Sequence, residues 1–410
     1  MKKKINRNFI FLYYLIPIFL ITGPALPDIS LSLISIFGVF IFYKNYKLII
    51  NDNILQKYSL FFLLFYTILI IGSFFSFNFK ISFLNSIPFV RFYFFTIFIY
   101  LLILDDYKNI NKILYLTLSI VFLLISLDGI YEYFAKQNIF QTSSYNSHIE
   151  NRISGLFRKE WIIGTYTIKL LPLYTYLFFS GVKKNYYFFF SIIFLSFVVI
   201  FLSGERAAFI LSLLYLLILF LSLKIKPLYL FYILLTFILI FIIINLFDNS
   251  SFIRLVGILH PSEKYLKMYE VSLNIFLNSP FFGEGLYSFR YLCDYKEFSS
   301  YGYASCSTHP HNIYLQLLAE AGIFAFLIIF ILFIICFFII LKNILFRKYD
   351  NILITFLCSS LVINLFPLLP SLNIFYNWHN VIIFFPIPFL LYELAKGKMV
   401  ASGGLEPPRE

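Results

Sequence analysis

Long runs of apolar residues recur from one end of the chain to the other, and short polar patches separate them. Most runs have the length needed to cross a membrane, about 20 residues, so they predict transmembrane helices. The predicted spans are 9–26, 29–43, 58–76, 87–104, 113–134, 161–179, 186–202, 207–223, 228–246, 313–341, 352–369 and 380–394. The predicted fold is an all-α polytopic membrane protein with about 12 transmembrane helices.

The composition excludes an ordinary soluble protein, because 61% of the residues are hydrophobic and only 13% are charged. The basic residues Lys2 to Lys4 and Arg7 precede the first apolar run, as they would in a signal peptide. No clear cleavage site of small residues follows, so we interpret this run as the first span.

The net charge of +12 does not indicate a nucleic-acid partner, because the cations fall in alternate connections between the predicted spans. Short basic connections lie on the cytoplasmic side of a membrane protein. Both termini are therefore predicted to be cytoplasmic. The basic residues of these connections are Lys44, Lys47, Lys57, Lys108, Lys112, Lys183, Lys184, Lys224, Lys226, Lys342, Arg347, Lys348, Lys396 and Lys398.

Two longer segments, 135–160 and 247–312, are predicted on the opposite side of the membrane. Residues 263–277 show helical apolar spacing, so we expect 247–312 to form an ordered cap between the ninth and tenth helices. The cap belongs to a single membrane domain, 1–398. The composition changes sharply at 399–410, which we interpret as a disordered tail.

Arg206 is the most informative cation on the outer side, because it lies in a connection so short that its guanidinium must stay near the hydrocarbon. An arginine suits phosphate oxygens, so one hypothesis is that it holds a lipid-borne phosphate. The alternative is a structural ion pair with Glu205. Other outer cations that could share the phosphate are Arg158, Lys264 and Arg290.

His309 and His311 lie where the second outer segment meets the apolar run from Ile313. A neutral imidazole can accept a proton from a sugar hydroxyl, and Pro310 restricts the backbone just before His311. The alternatives are a helix-capping histidine and a zinc pair, for which no third ligand of clear spacing is present.

Cys293 and Cys306 lie in the same outer segment and could form a disulfide in an oxidising compartment, although two free thiols are the alternative. No Asp-x-Asp or Glu-x-Asp pair occurs on the outer side to hold a divalent metal against a diphosphate. No phosphate-binding loop or nucleophile elbow is present either. We therefore expect neither a metal nor a cofactor.

Four motifs in this order resemble the bacterial O-antigen ligase and polymerase superfamily. They are Arg152-Ile153-Ser154-Gly155-Leu156-Phe157-Arg158-Lys159-Glu160, Ser203-Gly204-Glu205-Arg206-Ala207-Ala208, Asn278-Ser279-Pro280-Phe281-Phe282-Gly283-Glu284-Gly285, and His311-Asn312 followed after nine residues by Gly322. The last motif is the ligase type, although Ala325 stands where that pattern has Gly, Thr or Tyr.

The resemblance implies a metal-independent glycosyltransferase of the GT-C kind in the bacterial inner membrane, with its active site facing the periplasm. Its donor would be a glycan on undecaprenyl diphosphate. The resemblance makes His311 the catalytic base and Arg206 a diphosphate-binding residue. We expect His309, Asn312, Glu205 and Glu320 to support the site. The family has a second arginine, which corresponds to a position near Tyr265 in this sequence. No arginine stands there, and Lys264 or Lys267 is the candidate to replace it.

In the ligase interpretation, the acceptor is a sugar of lipid A–core. Membrane lipids are the other expected partners. A polymerase of the same superfamily is the main alternative, since it needs the same donor and similar cations. A protein O-oligosaccharyltransferase is a further alternative. A flippase or transporter is disfavoured, because no inverted repeat is evident and the polar residues gather on one outer rim.

Overall fold

The computed structural model describes residues 9–140, 152–158, 160–181, 185–224, 263–346 and 352–401, and no β-strand occurs in these ranges. Helices dominate because a chain within lipid must satisfy its backbone hydrogen bonds internally. The helices are α1 (Ile10–Thr22), α2 (Ala25–Asn51), α3 (Asn53–Phe74), α4 (Phe79–Ser86), α5 (Arg91–Ala135), α6 (Ile163–Ser180), α7 (Tyr186–Leu202), α8 (Arg206–Leu223), α9 (Glu263–Asn278), α10 (Phe289–Leu292), α11 (Ile313–Leu345), α12 (Ile352–Asn364), α13 (Asn377–Phe384) and α14 (Ile387–Ala401).

Six helical segments in the described ranges are long and apolar enough to cross a membrane. Every predicted span within these ranges overlaps a helix, whereas the span predicted at 228–246 lies outside them. The chain is thus a multi-pass membrane protein that is helical in its described ranges. Of the predicted tail, residues 399–401 end the last helix and 402–410 lie outside the described residues.

Several predicted spans differ from the structure: 9–26 and 380–394 each cover parts of two helices, α1 with α2 and α13 with α14. The spans at 87–104 and 113–134 are joined in one long helix, α5, which bends at Asp106 (φ −147°, ψ 55°). Helix α11 is likewise broken, at Gly322. The span predicted at 352–369 ends at Asn364, before Pro367 and Pro370, which cannot continue the hydrogen bonding of a helix. Residues 365–376 are instead irregular.

The outer faces of the helices present apolar side chains, as contact with lipid requires. On α8, the exposed fractions of Leu213, Leu217 and Leu221, spaced four residues apart, are 48%, 53% and 49%. Inside the bundle, α5 packs against α2, α6, α7 and α14. The interior of α6 includes fully buried tyrosines such as Tyr166 and Tyr174.

The cap predicted within 247–312 is a helical unit in its described part, 263–312. Helix α9 packs against α11, and its apolar face forms a separate small core. The buried residues of that core are Met268, Val271, Ile275, Phe289, Leu292, Cys293, Phe298 and Ala319. A disulfide joins Cys293 to Cys306 across this core, with 5.2 Å between their Cα atoms.

The cap is anchored where α11 breaks. The backbone N–H of Glu284 donates to the Ala319 carbonyl (2.9 Å), and that of Gly285 donates to the Glu320 carbonyl (3.0 Å). Gly322 has φ +75°, and a Cβ on it would collide with the backbone of Phe281. The glycine that ends the histidine motif therefore lets the turn of the preceding motif lie directly against the helix backbone.

Candidate active site

His311 lies immediately before α11, and the next residue fixes the start of that helix. The side-chain Oδ1 of Asn312 accepts hydrogen bonds from the backbone N–H groups of Tyr314 (3.0 Å) and Leu315 (3.1 Å). Its Nδ2 donates to the carbonyl of Pro367 (2.8 Å). Asn312 is thus the N-cap of α11 and ties it to the irregular segment 365–376.

The backbone of His311 adopts the left-handed conformation, with φ +56°. Such a conformation costs a non-glycine residue about 1–3 kcal/mol and persists only where the surroundings impose it. Here the His311 carbonyl accepts a hydrogen bond of 2.8 Å from the backbone N–H of Ser371. The helix cap and this bond together hold His311 in one backbone position.

Three neighbours define the orientation of the His311 imidazole. Its Nε2 is 3.1 Å from the hydroxyl of Ser307. The ring of Tyr265 lies edge-on at 5.6 Å between centroids, and the ring of His309 lies at 4.2 Å. Among the described residues, none hydrogen-bonds to the other ring nitrogen, Nδ1. One nitrogen of His311 is thus held by the protein while the other has no partner in this part of the chain.

The surroundings keep both imidazoles neutral near pH 7. Burial lowers the pKa of His311, and the positive charge of Lys264 lowers it further. Burial lowers the pKa of His309 to about 4, with added contributions from His311 and Arg290. His309 also lies between Thr308 and the carbonyl of Ser371, which is 3.2 Å from its Nε2. His309 is thus a buried neighbour of His311 with both nitrogens engaged.

A cavity of about 240 Å³, here called the His311 cavity, lies against His311. Its walls come from α6, the start of α8, the end of α12 and the irregular segment 365–376. Its polar and charged lining residues are Arg152, Thr165, Lys169, Glu205, His311, Asn364 and Ser371, with Trp161 beside them. Arg152 places its guanidinium 5.6 Å from the Trp161 ring. The cavity therefore brings together a neutral imidazole and two cationic side chains.

Glu205 holds the start of α6. Its carboxylate accepts from the backbone N–H groups of Gly164 (2.6 Å) and Thr165 (3.1 Å), and from the Thr165 hydroxyl (2.6 Å). The N-cap position of α6 is Ile162, which has no side-chain acceptor. A carboxylate from the α7–α8 connection thus supplies the cap that the sequence of α6 lacks.

The four cations predicted to bind phosphate occupy different places. Arg206 is exposed at the first turn of α8, between the cavity-lining residues Glu205 and Ala207. Lys264 is exposed on α9 and acts electrostatically on His311. Arg290 donates to the Thr308 carbonyl (3.3 Å).

The fourth cation, Arg158, has a different neighbour: its guanidinium lies 5.2 Å from the Phe140 ring. None of the four is among the lining residues of the His311 cavity. Lys264 and Arg290 therefore lie close to the histidine pair, whereas Arg206 lies close to the cavity through its neighbours in sequence.

Glu320 is buried beneath the cap. One carboxylate oxygen accepts from the side-chain amide of Gln316 (2.9 Å), and the other accepts from the backbone N–H of Phe289 (3.3 Å). Gln316 in turn bonds to Asn373 in the irregular segment. Glu320 thus connects α11 to α10 directly and to segment 365–376 through Gln316.

Sequence reasoning missed three buried polar residues that contact one another, Lys169, Asn364 and His379. Lys169 of α6 is 4% exposed, and its Nζ lies 2.7 Å from Nε2 of His379 and 3.2 Å from Oδ1 of Asn364. The signal was present, because a lysine inside a predicted span marks a functional site by default. Its partners are far away in sequence, so their contact was not predictable.

In the described residues, these features define a class of helical membrane protein. A cap packs against a helix that is broken at Gly322, and a neutral histidine at the start of that helix lines a cavity together with two cationic side chains. Residues 191–330 match the family model described as O-Antigen ligase. Over this third of the chain, the match supports the resemblance to the O-antigen ligase superfamily that the four motifs indicated. The matched range includes Arg206, the cap and His311. No curated protein is significantly similar to the chain.

Proposed function

We propose that this protein is an O-antigen ligase-type glycosyltransferase. It moves a glycan from undecaprenyl diphosphate to a sugar hydroxyl of lipid A–core, at the periplasmic face of the bacterial inner membrane. The observation that carries this proposal is the fixed, neutral His311 at a cavity that also contains cationic side chains. The superfamily match supports lipid-linked glycans as the substrate class.

His311 acts as the general base. When Nε2 carries its hydrogen and donates it to the Ser307 hydroxyl, the lone pair on Nδ1 is available to the acceptor. The acceptor hydroxyl gives its proton to Nδ1 while its oxygen attacks the anomeric carbon. The bond from that carbon to the diphosphate oxygen breaks on the opposite face, so the configuration inverts.

The leaving diphosphate carries off the bonding electrons, and cations near the site stabilise its charge. Arg206 is the first candidate, with Lys264, Arg290 and Arg158 as the others. The charge of Lys264 acts on His311, and that of Arg290 acts on His309. No divalent metal is invoked, because cationic side chains neutralise the diphosphate in this scheme.

A polymerase is the second candidate, since it uses the same donor and the same kind of base. The His311-Asn312 motif with Gly322 favours the ligase, because this spacing is the ligase-type pattern. Among the described residues, no comparable motif favours protein O-glycosylation or transport.

A deletion strain complemented with wild-type or His311→Ala protein tests the proposal. We expect the deletion and His311→Ala strains to accumulate long glycan on undecaprenyl diphosphate and to lose it from lipopolysaccharide. Single repeats on the core would instead indicate a polymerase. Full transfer by His311→Ala protein, expressed at the wild-type level, would remove His311 from the mechanism.

A further inference from the structure

Lys169 is a buried lysine without an acidic partner. Its Nζ hydrogen-bonds to His379 and Asn364, and no carboxylate in the described residues pairs with it. Nδ1 of His379 lies 3.3 Å from the Asn373 carbonyl, which can only accept, so that nitrogen carries the hydrogen. Nε2 of His379 is therefore an acceptor, and Lys169 donates to two neutral groups.

Lys169 thus lacks both a third hydrogen-bond acceptor and a compensating negative charge among the described residues. An ammonium group has three N–H donors, and only two have partners among the described residues. A buried charge needs an opposite charge or full hydrogen bonding to be tolerated. Lys169 lines the His311 cavity, so a ligand in that cavity can supply both.

Two more lining residues carry polar groups with no partner in the described part of the chain. Trp161 Nε1 and Ser371 Oγ are both buried and make no hydrogen bond. Arg152 adds a second positive charge to the lining. The carboxylate of Glu205 is also there, but the start of α6 already occupies its oxygens. The donor-rich lining therefore fits a ligand group that is anionic and only accepts hydrogen bonds.

We propose that the His311 cavity binds a phosphate group through its lining residue Lys169, with Trp161 Nε1, Ser371 Oγ and Arg152 as further donors. Resting on the proposed function, this group belongs to the diphosphate of the lipid-linked donor. Phosphate oxygens bind to several donors at once, as this lining offers. Lys169 and Arg152 are then the cations that line the diphosphate site, and Arg206 lies beside it, between the lining residues Glu205 and Ala207.

The two tryptophans of the chain provide a matched test. Trp378 Nε1 donates to the Leu20 carbonyl (2.8 Å), whereas Trp161 Nε1 has no partner in the described residues. Trp161→Phe should weaken the binding of undecaprenyl diphosphate by about tenfold, since a hydrogen bond to a charged group is lost. Trp378→Phe should lower the melting temperature and leave the affinity of the folded protein unchanged.

A second pair of variants tests the charge. Lys169→Gln should weaken the binding of undecaprenyl diphosphate by at least about tenfold. Lys57→Gln removes an exposed lysine that lines a different cavity and should have no effect. Binding is measured on the purified full-length protein in detergent, with inorganic pyrophosphate as competitor. Competition shows that the diphosphate is bound, and its absence would show that only the lipid chain is recognised, which overturns the proposal.

The outcomes separate this inference from the proposed function. His311→Ala should bind undecaprenyl diphosphate normally while failing to transfer glycan. Wild-type affinity in both Trp161→Phe and Lys169→Gln would overturn the phosphate site and leave the ligase reaction standing. If Lys169→Gln fails to fold, the affinities of Trp161→Phe and Ser371→Ala decide. Weakened binding in both supports the phosphate site, and wild-type affinity in both overturns it.

Discussion

Two cavities of similar size differ in what lines them. The His311 cavity, of about 240 Å³, contains basic, hydroxyl and amide side chains. A second cavity of about 280 Å³, here called the apolar cavity, lies between α3, α11, α12, α13 and α14 and is lined mainly by aliphatic and aromatic residues. Apolar space within a membrane protein can be filled by lipid or neighbouring side chains, whereas a buried cation needs a defined partner. Buried polar groups therefore locate the candidate site better than cavity size does.

Breaking the disulfide should have the largest effect on stability. The effect should be confined to the cap beside His311 and should not reach the helices around the apolar cavity. Cys293→Ser with Cys306→Ser opens a link 13 residues apart in sequence. The expected cost is about 3 kcal/mol of cap stability, because the unfolded cap gains freedom. Hydrogen exchange of α9 should report faster opening, with glycan transfer reduced at elevated temperature. Exchange within α3 should stay unchanged, and faster exchange there would contradict a separate cap.

Shortening a side chain in the apolar cavity should affect stability alone. Ile383 lines that cavity and is 6% exposed. Ile383→Val removes one methylene and should cost about 1 kcal/mol of stability. Thermal unfolding in detergent measures this, while the KM for the lipid-linked donor should match the wild type. A raised KM with unchanged stability would mean that the apolar cavity also holds substrate.

Removing the charge of Lys264 should have the smallest effect of the three changes, and it should include a shift in pH dependence. Burial and the charge of Lys264 both lower the pKa of His311. Lys264→Gln removes the second cause, so the pKa of His311 rises towards its ordinary value. The acid limb of the kcat/KM profile should then move to higher pH, whatever the change in the plateau above it. An unmoved limb would show that another group titrates. Lys342→Gln, far along α11, is the control.

The sequence predicted most of the helices because each apolar run carries its own signal. Tyr186–Leu202 begins and ends where it was predicted, and α9 follows the apolar spacing of residues 263–277. The break at Gly322 was not predicted, because the surrounding sequence is uniformly apolar and the break depends on the cap turn. The bend at Asp106 joins two helices that the sequence alone separates with a polar patch.

The site was predictable only in the part that lies close together in sequence. His311, Asn312 and the disulfide partners share one segment, and their motif and spacing are visible in it. The contact of Lys169 with His379 joins residues 210 apart in sequence, and no local pattern specifies it. Segment 365–376 was assigned partly to a span, although its prolines and Asn373 are typical of irregular backbone.

The hydrogen bonds of Glu205 affect how mutations in the second motif should be interpreted. Lys169 lies on the helix whose first turn depends on that carboxylate. A substitution at Glu205, or one at Arg206 that displaces it, can therefore misalign α6 and reduce transfer without any lost contact to substrate. A phenotype in this motif identifies a ligand-binding residue only when the geometry of α6 is shown to be intact.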